Sequence, residues 1–190
     1  MIRATRAVAL VSAVAMAATA NAQTSRAPAG PAQIVLIRHA EKPDDSGNPH
    51  LSPAGVARAN RLTAFVTQDA AVGRFGKPAV IYATKTTKDD NGQRTQETVA
   101  PLAKALGLRV RAPYHGKQYA ALAKLILGTP AYAGKMVVIC WNHEEIPELA
   151  AALGVSPQPP KWKGSVYDAV YIISYRDGRA ELTTSRYGDQ

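Results

Sequence analysis

The stretch IVLIRHAEKP, residues 34–43, decides the fold. Its four leading residues are apolar and mostly β-branched, which predicts a short strand buried on both faces. Arg38 and His39 follow at once, so a cation and an imidazole stand side by side where the strand ends. Ligands of open α/β sheets gather beyond the carboxyl ends of the strands. We therefore expect residues at the ends of the other strands to contribute to the same site.

Two further apolar runs, AVIYAT (79–84) and MVVICW (136–141), predict buried strands. A polar loop after the first leads to Arg94, near the start of a predicted helix, and the second runs into His143 and Glu144. We expect these ends to meet at one edge of the sheet. Two arginines, two histidines and at least one carboxylate would then share a pocket.

Helical periodicity predicts helices between the strands. In the first, Ser52 is a good N-cap, Pro53 suits the first helical position, and Val56 and Ala59 begin an apolar face. Arg176-Asp177-Gly178 predicts a terminal hairpin. Strands alternating with helices before a hairpin predict a three-layer α/β/α sandwich around a mostly parallel sheet. The predicted helices span 54–66, 94–106, 118–127 and 147–153, and the remaining strands span 108–113, 167–175 and 179–187.

The N-terminus has the pattern of a secretory signal peptide. MIRATR carries two arginines, a 14-residue apolar run follows, and Ala20-Asn21-Ala22 fits the small-x-small cleavage pattern. The run is shorter than the roughly 20 residues of a spanning helix, so we prefer cleavage to an N-terminal membrane anchor. We expect a signal peptide at 1–22, a flexible lead-in at 23–32 and one domain at 33–190, in a periplasmic or secreted protein with no stable membrane insertion after cleavage.

Charge and cysteine content narrow the ligands. Beyond residue 22 the chain holds 21 Lys and Arg against 14 Asp and Glu, a net charge of +7. The charges are scattered, which disfavours a nucleic-acid partner, whereas a positive field favours anions such as phosphate esters. Cys140 is the only cysteine and lies in an apolar run, so we expect a buried hydrophobic residue and no intramolecular disulfide.

A pocket containing Arg38, His39, Arg94 and His143 suits phosphoryl transfer to a histidine. Arginine forks bind and neutralise phosphoryl oxygens, one imidazole attacks phosphorus, and a protonated second imidazole donates to an oxygen. A carboxylic acid would protonate the leaving oxygen. Side chains supply the positive charge, so we expect no metal and no cofactor. A zinc site is disfavoured because the chain lacks a His-x-x-x-His pair and a cysteine cluster.

At this point the residues resemble a known family, the histidine phosphatase (phosphoglycerate mutase-like) superfamily. RHAEKP after a hydrophobic strand is similar to its signature, and LSPAGVARA (51–59) is similar to its first-helix segment. RTQETVAPLAKALGL (94–108) resembles the second-arginine segment, and VVICWNHEEIPELAAALG (137–154) resembles the second-histidine segment. The resemblance covers residues 33–187 and implies the family's fold. Four motifs in the right order are far more specific than any one alone.

The resemblance implies that His39 accepts the phosphoryl group and that Arg38, Arg94 and His143 hold it. Together with the predicted signal peptide, it implies an exported phosphatase that hydrolyses a small phosphomonoester through a phosphohistidine on His39. An alternative is a weak or inactive phosphate-binding protein of the same fold. The partner would be a small phosphorylated substrate or inorganic phosphate. The substrate and the oligomeric state stay open, because specificity lies in loops such as 42–53.

The general acid is where the chain departs from the family's pattern. Many members carry a Glu between the second arginine and the second histidine, but residues 98–142 contain no Asp or Glu. Glu144 is the first candidate, because the acid phosphatase branch of the superfamily places its acid directly after the second histidine. Glu41, which we also expect to contact the substrate, and Asp168 are the alternatives.

Overall fold

The computed structural model describes residues 30–45, 47–88 and 92–187. The predicted signal peptide and most of the predicted lead-in lie outside these residues. The strands are β1 (Gln33–Arg38), β2 (Val80–Tyr82), β3 (Val110–Arg111), β4 (Met136–Trp141), β5 (Ala169–Arg176) and β6 (Arg179–Arg186). The α-helices are α1 (Pro53–Gln68), α2 (Gln93–Leu106), α3 (Tyr119–Leu127) and α4 (Ile146–Ala152). Short 3-10 helices lie at Gly73–Phe75, Gly116–Gln118 and Pro130–Tyr132.

The strands form one six-stranded sheet in the order β3-β2-β4-β1-β5-β6. β3, β2, β4 and β1 run parallel, and β5 and β6 return antiparallel. The hairpin between β5 and β6 turns at Asp177 and Gly178, whose φ angles of 49° and 77° are typical of a tight hairpin turn. The predicted mostly parallel sheet with a C-terminal hairpin is confirmed.

Helices cover both faces of the sheet, which confirms the three-layer sandwich. Because side chains alternate along a strand, Ile34 and Leu36 of β1 pack with α3 and α4, whereas Val35 and Ile37 pack with α1 and α2. Both clusters are fully or almost fully buried. Within the described ranges, no helix is both long enough and apolar enough to cross a membrane.

Helix α1 begins as the sequence predicts, but its buried face is rotated. The Ser52 side chain accepts a hydrogen bond from the Gly55 N–H, and Pro53 is the first helical residue. Val56, predicted to face the core, is 50% exposed, and Gly55 is buried in its place. The reason is close packing, since a Cβ at Gly55 would overlap the Glu41 main chain. This contact seats the start of α1 against the chain that follows β1.

Candidate active site

The site lies where β1 and β4 end, at the predicted edge of the sheet. The two strands are parallel neighbours, and Arg38 is in register with Trp141. His39 follows directly after β1, and His143 lies in the turn after β4. Burial lowers the pKa of His39, and the nearby charges of Arg38, Arg94 and His143 lower it further. The charges of Arg38, Arg94 and His143 therefore all act on the His39 ring.

His39 is a buried, neutral imidazole with one free ring nitrogen. It is 8% exposed, and its Nδ1 lies 2.7 Å from the Ala40 carbonyl oxygen. A carbonyl oxygen only accepts, so Nδ1 carries the hydrogen and Nε2 keeps its lone pair. Burial, only partly offset by this hydrogen bond, lowers the pKa of His39 to about 4. At neutral pH the ring is thus uncharged, as a nucleophile must be.

Arg38 is held by carbonyl groups and an aromatic ring. Its Nη1 donates to the carbonyl oxygens of Gly164 at 2.5 Å and Val166 at 3.3 Å, and its guanidinium carbon lies 4.0 Å from the centre of the Tyr167 ring. Arg38 is 2% exposed, its Nε has no hydrogen-bond partner, and it enters none of the ion pairs among the described residues. Burial accordingly lowers the pKa of Arg38. A buried cation without a counter-charge favours the binding of an anion.

Arg94 is the second residue of α2 and is anchored to the loop before α1. Its Nη2 donates to the Asn48 carbonyl at 2.5 Å and its Nε to the His50 carbonyl at 3.3 Å, which leaves Nη1 for a ligand. Glu97, one turn further, accepts from the Leu51 N–H at 3.0 Å and pairs with His50 Nδ1 at 2.5 Å. Burial alone would raise the pKa of Glu97, but these contacts outweigh it and lower the pKa. Arg94 and Glu97, which lie one turn apart on the same face of α2, thus hold the loop against this helix.

His143 sits beside a glycine that leaves its ring uncovered. A Cβ added at Gly164 would lie 3.4 Å from His143 Nε2, so the glycine keeps space open next to this nitrogen. Burial lowers the pKa of His143; the charges of Arg38 and Lys42 lower it further, and Glu144 opposes them. The ring therefore has a carboxylate neighbour on its own turn.

The three candidate acids have different surroundings. Glu41 accepts from both Nε and Nη2 of Arg58 at 2.8 Å, and Asp168 pairs with Arg186 at 2.5 Å. Burial would raise the pKa of Asp168, but the Arg186 hydrogen bond outweighs it and lowers the pKa. Glu144 is exposed and enters none of the ion pairs formed among the residues that the structure describes. Of the three, only Glu144 has a carboxyl group that no arginine engages.

Sequence reasoning missed several residues of the site. Tyr167 stacks on Arg38 and also meets the His39 ring edge-on, with ring centres 6.0 Å apart. Gly164 and Tyr167 lie in the irregular segment before β5, and no local pattern links them to β1. Thr98, by contrast, lies in the second-arginine segment, where a buried hydroxyl four residues after Arg94 could have been suspected.

Solved structures share this architecture. A mycobacterial glucosyl-3-phosphoglycerate phosphatase solved with inorganic phosphate superposes with a TM-score of 0.53 at 16% identity, covering 80% of this chain and 95% of its own. The chain has the phosphoglycerate mutase-like fold. A phosphoserine phosphatase mutant from Entamoeba histolytica, solved with phosphoserine, gives 0.53 at 16% identity, with 83% and 96% covered. The phosphoglycerate mutase of Bacillus anthracis gives 0.52 at 12% identity, with 84% and 94% covered.

No family model matches the chain, and no curated protein matches it. The phosphoglycerate mutase-like fold is therefore established by structure alone. Because one fold can host many activities, the chemistry of this protein depends on the residues of its site.

Proposed function

We propose that this protein is a metal-independent phosphatase that hydrolyses a small phosphomonoester through a phosphohistidine on His39. The observation that carries the proposal is the state of two adjacent residues. His39 is buried and neutral with a free Nε2, and Arg38 beside it is buried and enters none of the ion pairs among the described residues. A nucleophile next to an unneutralised cation suits an electrophile that brings negative charge, which describes a phosphoryl group.

The first chemical step follows from the His39 geometry. The lone pair of Nε2 attacks phosphorus in line, and the bond from phosphorus to the ester oxygen breaks. The ring gains positive charge, which the Nδ1–H hydrogen bond to the Ala40 carbonyl stabilises. Arg38 and Arg94 bind the phosphoryl oxygens, and the negative charge that the substrate brings raises the pKa of His143, so that His143 also donates to them.

Glu144 is our choice for the general acid. Its carboxylic acid gives a proton to the leaving ester oxygen, and its carboxylate then takes a proton from the water that attacks phosphorus. The bond from phosphorus to Nε2 breaks in this second step and the electron pair returns to the ring. Glu41 and Asp168 serve worse, because each carboxylate already forms an ion pair, Glu41 Oε1 with Arg58 and Asp168 Oδ2 with Arg186. Glu41 is better suited to orienting the chain after His39 than to contacting substrate.

The test is phosphate release from p-nitrophenyl phosphate by the full-length chain, with and without EDTA. We expect activity that EDTA leaves unchanged and that His39→Ala abolishes. His115→Ala is the matched control, since His115 contributes to the pKa shift of neither His39 nor His143. Loss of activity in EDTA would contradict metal independence. Equal activity in the parent and in His39→Ala would contradict the phosphohistidine.

A second candidate function is a phosphate-binding protein of the same fold. The observation that favours it is the exposure of Glu144, the one acid candidate not engaged by an arginine, since an exposed acid is poorly held for proton transfer. Such a protein would bind inorganic phosphate or vanadate but release no phosphate from esters. Isothermal titration beside the activity assay separates the two functions.

We also propose that the protein is exported to the periplasm or secreted, as the predicted signal peptide implies. An exported phosphatase would act on extracytoplasmic phosphomonoesters. N-terminal sequencing of the product from a cell fractionation is the test. A chain beginning near Gln23 in the periplasmic or secreted fraction is expected, and an intact Met1 on a membrane-bound product would overturn the proposal.

A further inference from the structure

The buried hydroxyl of Thr98 links helix α2 to the chain segment that follows β1. Thr98 is fully buried on α2, and its Oγ1 accepts a hydrogen bond from the Ala40 N–H at 2.9 Å. The same hydroxyl donates to the Arg94 carbonyl oxygen at 2.7 Å. Ala40 also provides the carbonyl that holds His39 Nδ1 at 2.7 Å. The Thr98 hydroxyl is thus linked directly to the main chain of Arg94, and it is linked to His39 through Ala40.

The direction of each bond is fixed by its partners. An N–H only donates and a carbonyl only accepts, so the single hydrogen of the Thr98 hydroxyl points to Arg94 and its lone pair points to Ala40. The chain segment after β1 and helix α2 therefore meet at one oxygen.

We propose that Thr98 is a positioning residue for the nucleophile: by anchoring the Ala40 N–H, it keeps the Ala40 carbonyl on His39 Nδ1 and so keeps Nε2 free and aimed. The inference deepens the proposed function and rests on it for its kinetic part. Its structural part, the hydrogen position on the His39 ring, stands on the geometry alone.

Removing the hydroxyl has a specific consequence. In Thr98→Val the Ala40 N–H is left buried and without a partner, so Ala40 gains by turning toward another acceptor or water. The Ala40 carbonyl then leaves His39, the hydrogen is no longer held on Nδ1, and the ring exchanges between its two neutral forms. Substrate binding by the arginines is affected less than the transfer step.

Thr95 is a matched control one turn away. It too is fully buried on α2 and bonded through its hydroxyl, which donates to the Gly92 carbonyl at 2.7 Å and accepts from the Thr84 N–H at 3.1 Å. It makes none of the hydrogen bonds to Ala40. A purely structural role for Thr98 predicts that Thr98→Val and Thr95→Val behave alike.

The experiment uses the full-length chain labelled with ¹⁵N-histidine, and reads the His39 ring nitrogens by NMR beside kcat and KM for p-nitrophenyl phosphate. In Thr98→Val we expect loss of the pure Nδ1–H form and a fall in kcat of about 10- to 100-fold with a smaller change in KM. Thr98→Ser keeps the hydroxyl and should show the parental His39 ring signals and the parental kcat. Thr95→Val should lower the urea midpoint but keep the parental His39 ring signals.

Three results would overturn the inference: parental ring signals in Thr98→Val, the same ring change in Thr95→Val, or a Thr98→Ser variant that behaves like Thr98→Val. Should Thr98→Val not fold, Thr98→Ala is compared with Thr98→Ser in the same way. A parent that shows no turnover contradicts the proposed function, whereas the ring signals still decide the role of Thr98.

Discussion

Because His39 is buried in its neutral form, the free energy of unfolding of the ligand-free protein should fall in acid by an amount that follows from its pKa shift. The pKa of His39 falls from 6.5 to about 4 on folding. As the pH drops below 6.5, the unfolded chain takes up a proton that the folded chain refuses until about pH 4. The stability present above pH 6.5 is therefore lost progressively between these two values. At pH 4.5 the loss from this one group is about 2.5 kcal/mol.

The variant that isolates this contribution is His39→Gln, which is polar but does not titrate. Urea unfolding of parent and variant at pH 7.5 and pH 4.5, in buffers free of phosphate and sulfate, gives four free energies of unfolding. We expect the parent to lose about 2.5 kcal/mol more than the variant between the two pH values. Glu97, Asp168 and His143 titrate in both proteins, so they largely cancel in the comparison.

Equal losses in parent and variant would refute the reasoning, since they would mean that His39 titrates in the folded protein as it does in the unfolded chain. A larger loss in the variant would contradict even the sign. Adding phosphate at pH 4.5 should stabilise the parent, because an anion next to the ring removes part of the cost of protonating it.

Three further predictions concern other parts of the site. Glu144→Gln should slow hydrolysis of an alkyl phosphate about 10²- to 10⁴-fold but leave p-nitrophenyl phosphate, whose leaving group needs little protonation, much less affected. Tyr167→Leu should weaken binding of vanadate, measured by calorimetry, because Arg38 loses the ring that supports it, whereas Tyr167→Phe should retain it. Gly55→Ala should destabilise the fold by about 1–3 kcal/mol in urea unfolding, although alanine favours helices, because its Cβ would overlap the Glu41 main chain.

Each of these predictions has an outcome that contradicts it. Equal slowing of both esters by Glu144→Gln would mean that this residue is not the acid. If Tyr167→Phe weakened vanadate binding as much as Tyr167→Leu, the hydroxyl and not the ring would be what matters. A Gly55→Ala protein as stable as the parent would mean that the Glu41 segment can move away at no cost.

Much of the fold could be predicted because its signals are local. The runs at 34–37 and 136–141 are continuously apolar, as strands buried on both faces must be, and the helix cap at Ser52 is encoded by two adjacent residues. The buried face of α1 was predicted less well. Val56 fits the helical period, but the close approach of the Glu41 main chain selects Gly55 for the interior.

The candidate site, like the fold, could be predicted from the sequence only in part. His39 and His143 could be placed together because parallel strands end at a common edge. The partners of Arg38 could not be predicted, since Gly164 is 126 residues away and its contribution is a main-chain oxygen, which every residue type carries. Nor could the sequence tell that Arg58 engages Glu41, because an ion pair between two surface segments follows from how they pack.

The carbonyl and aromatic support of Arg38 has a consequence for turnover. Under the proposed function, the positive charge of Arg38 that attracts a phosphate ester would also attract the orthophosphate that hydrolysis leaves behind. We therefore expect that release of the product would be slow and that free phosphate would inhibit turnover as it accumulates. Turnover would then be fastest where free phosphate is scarce.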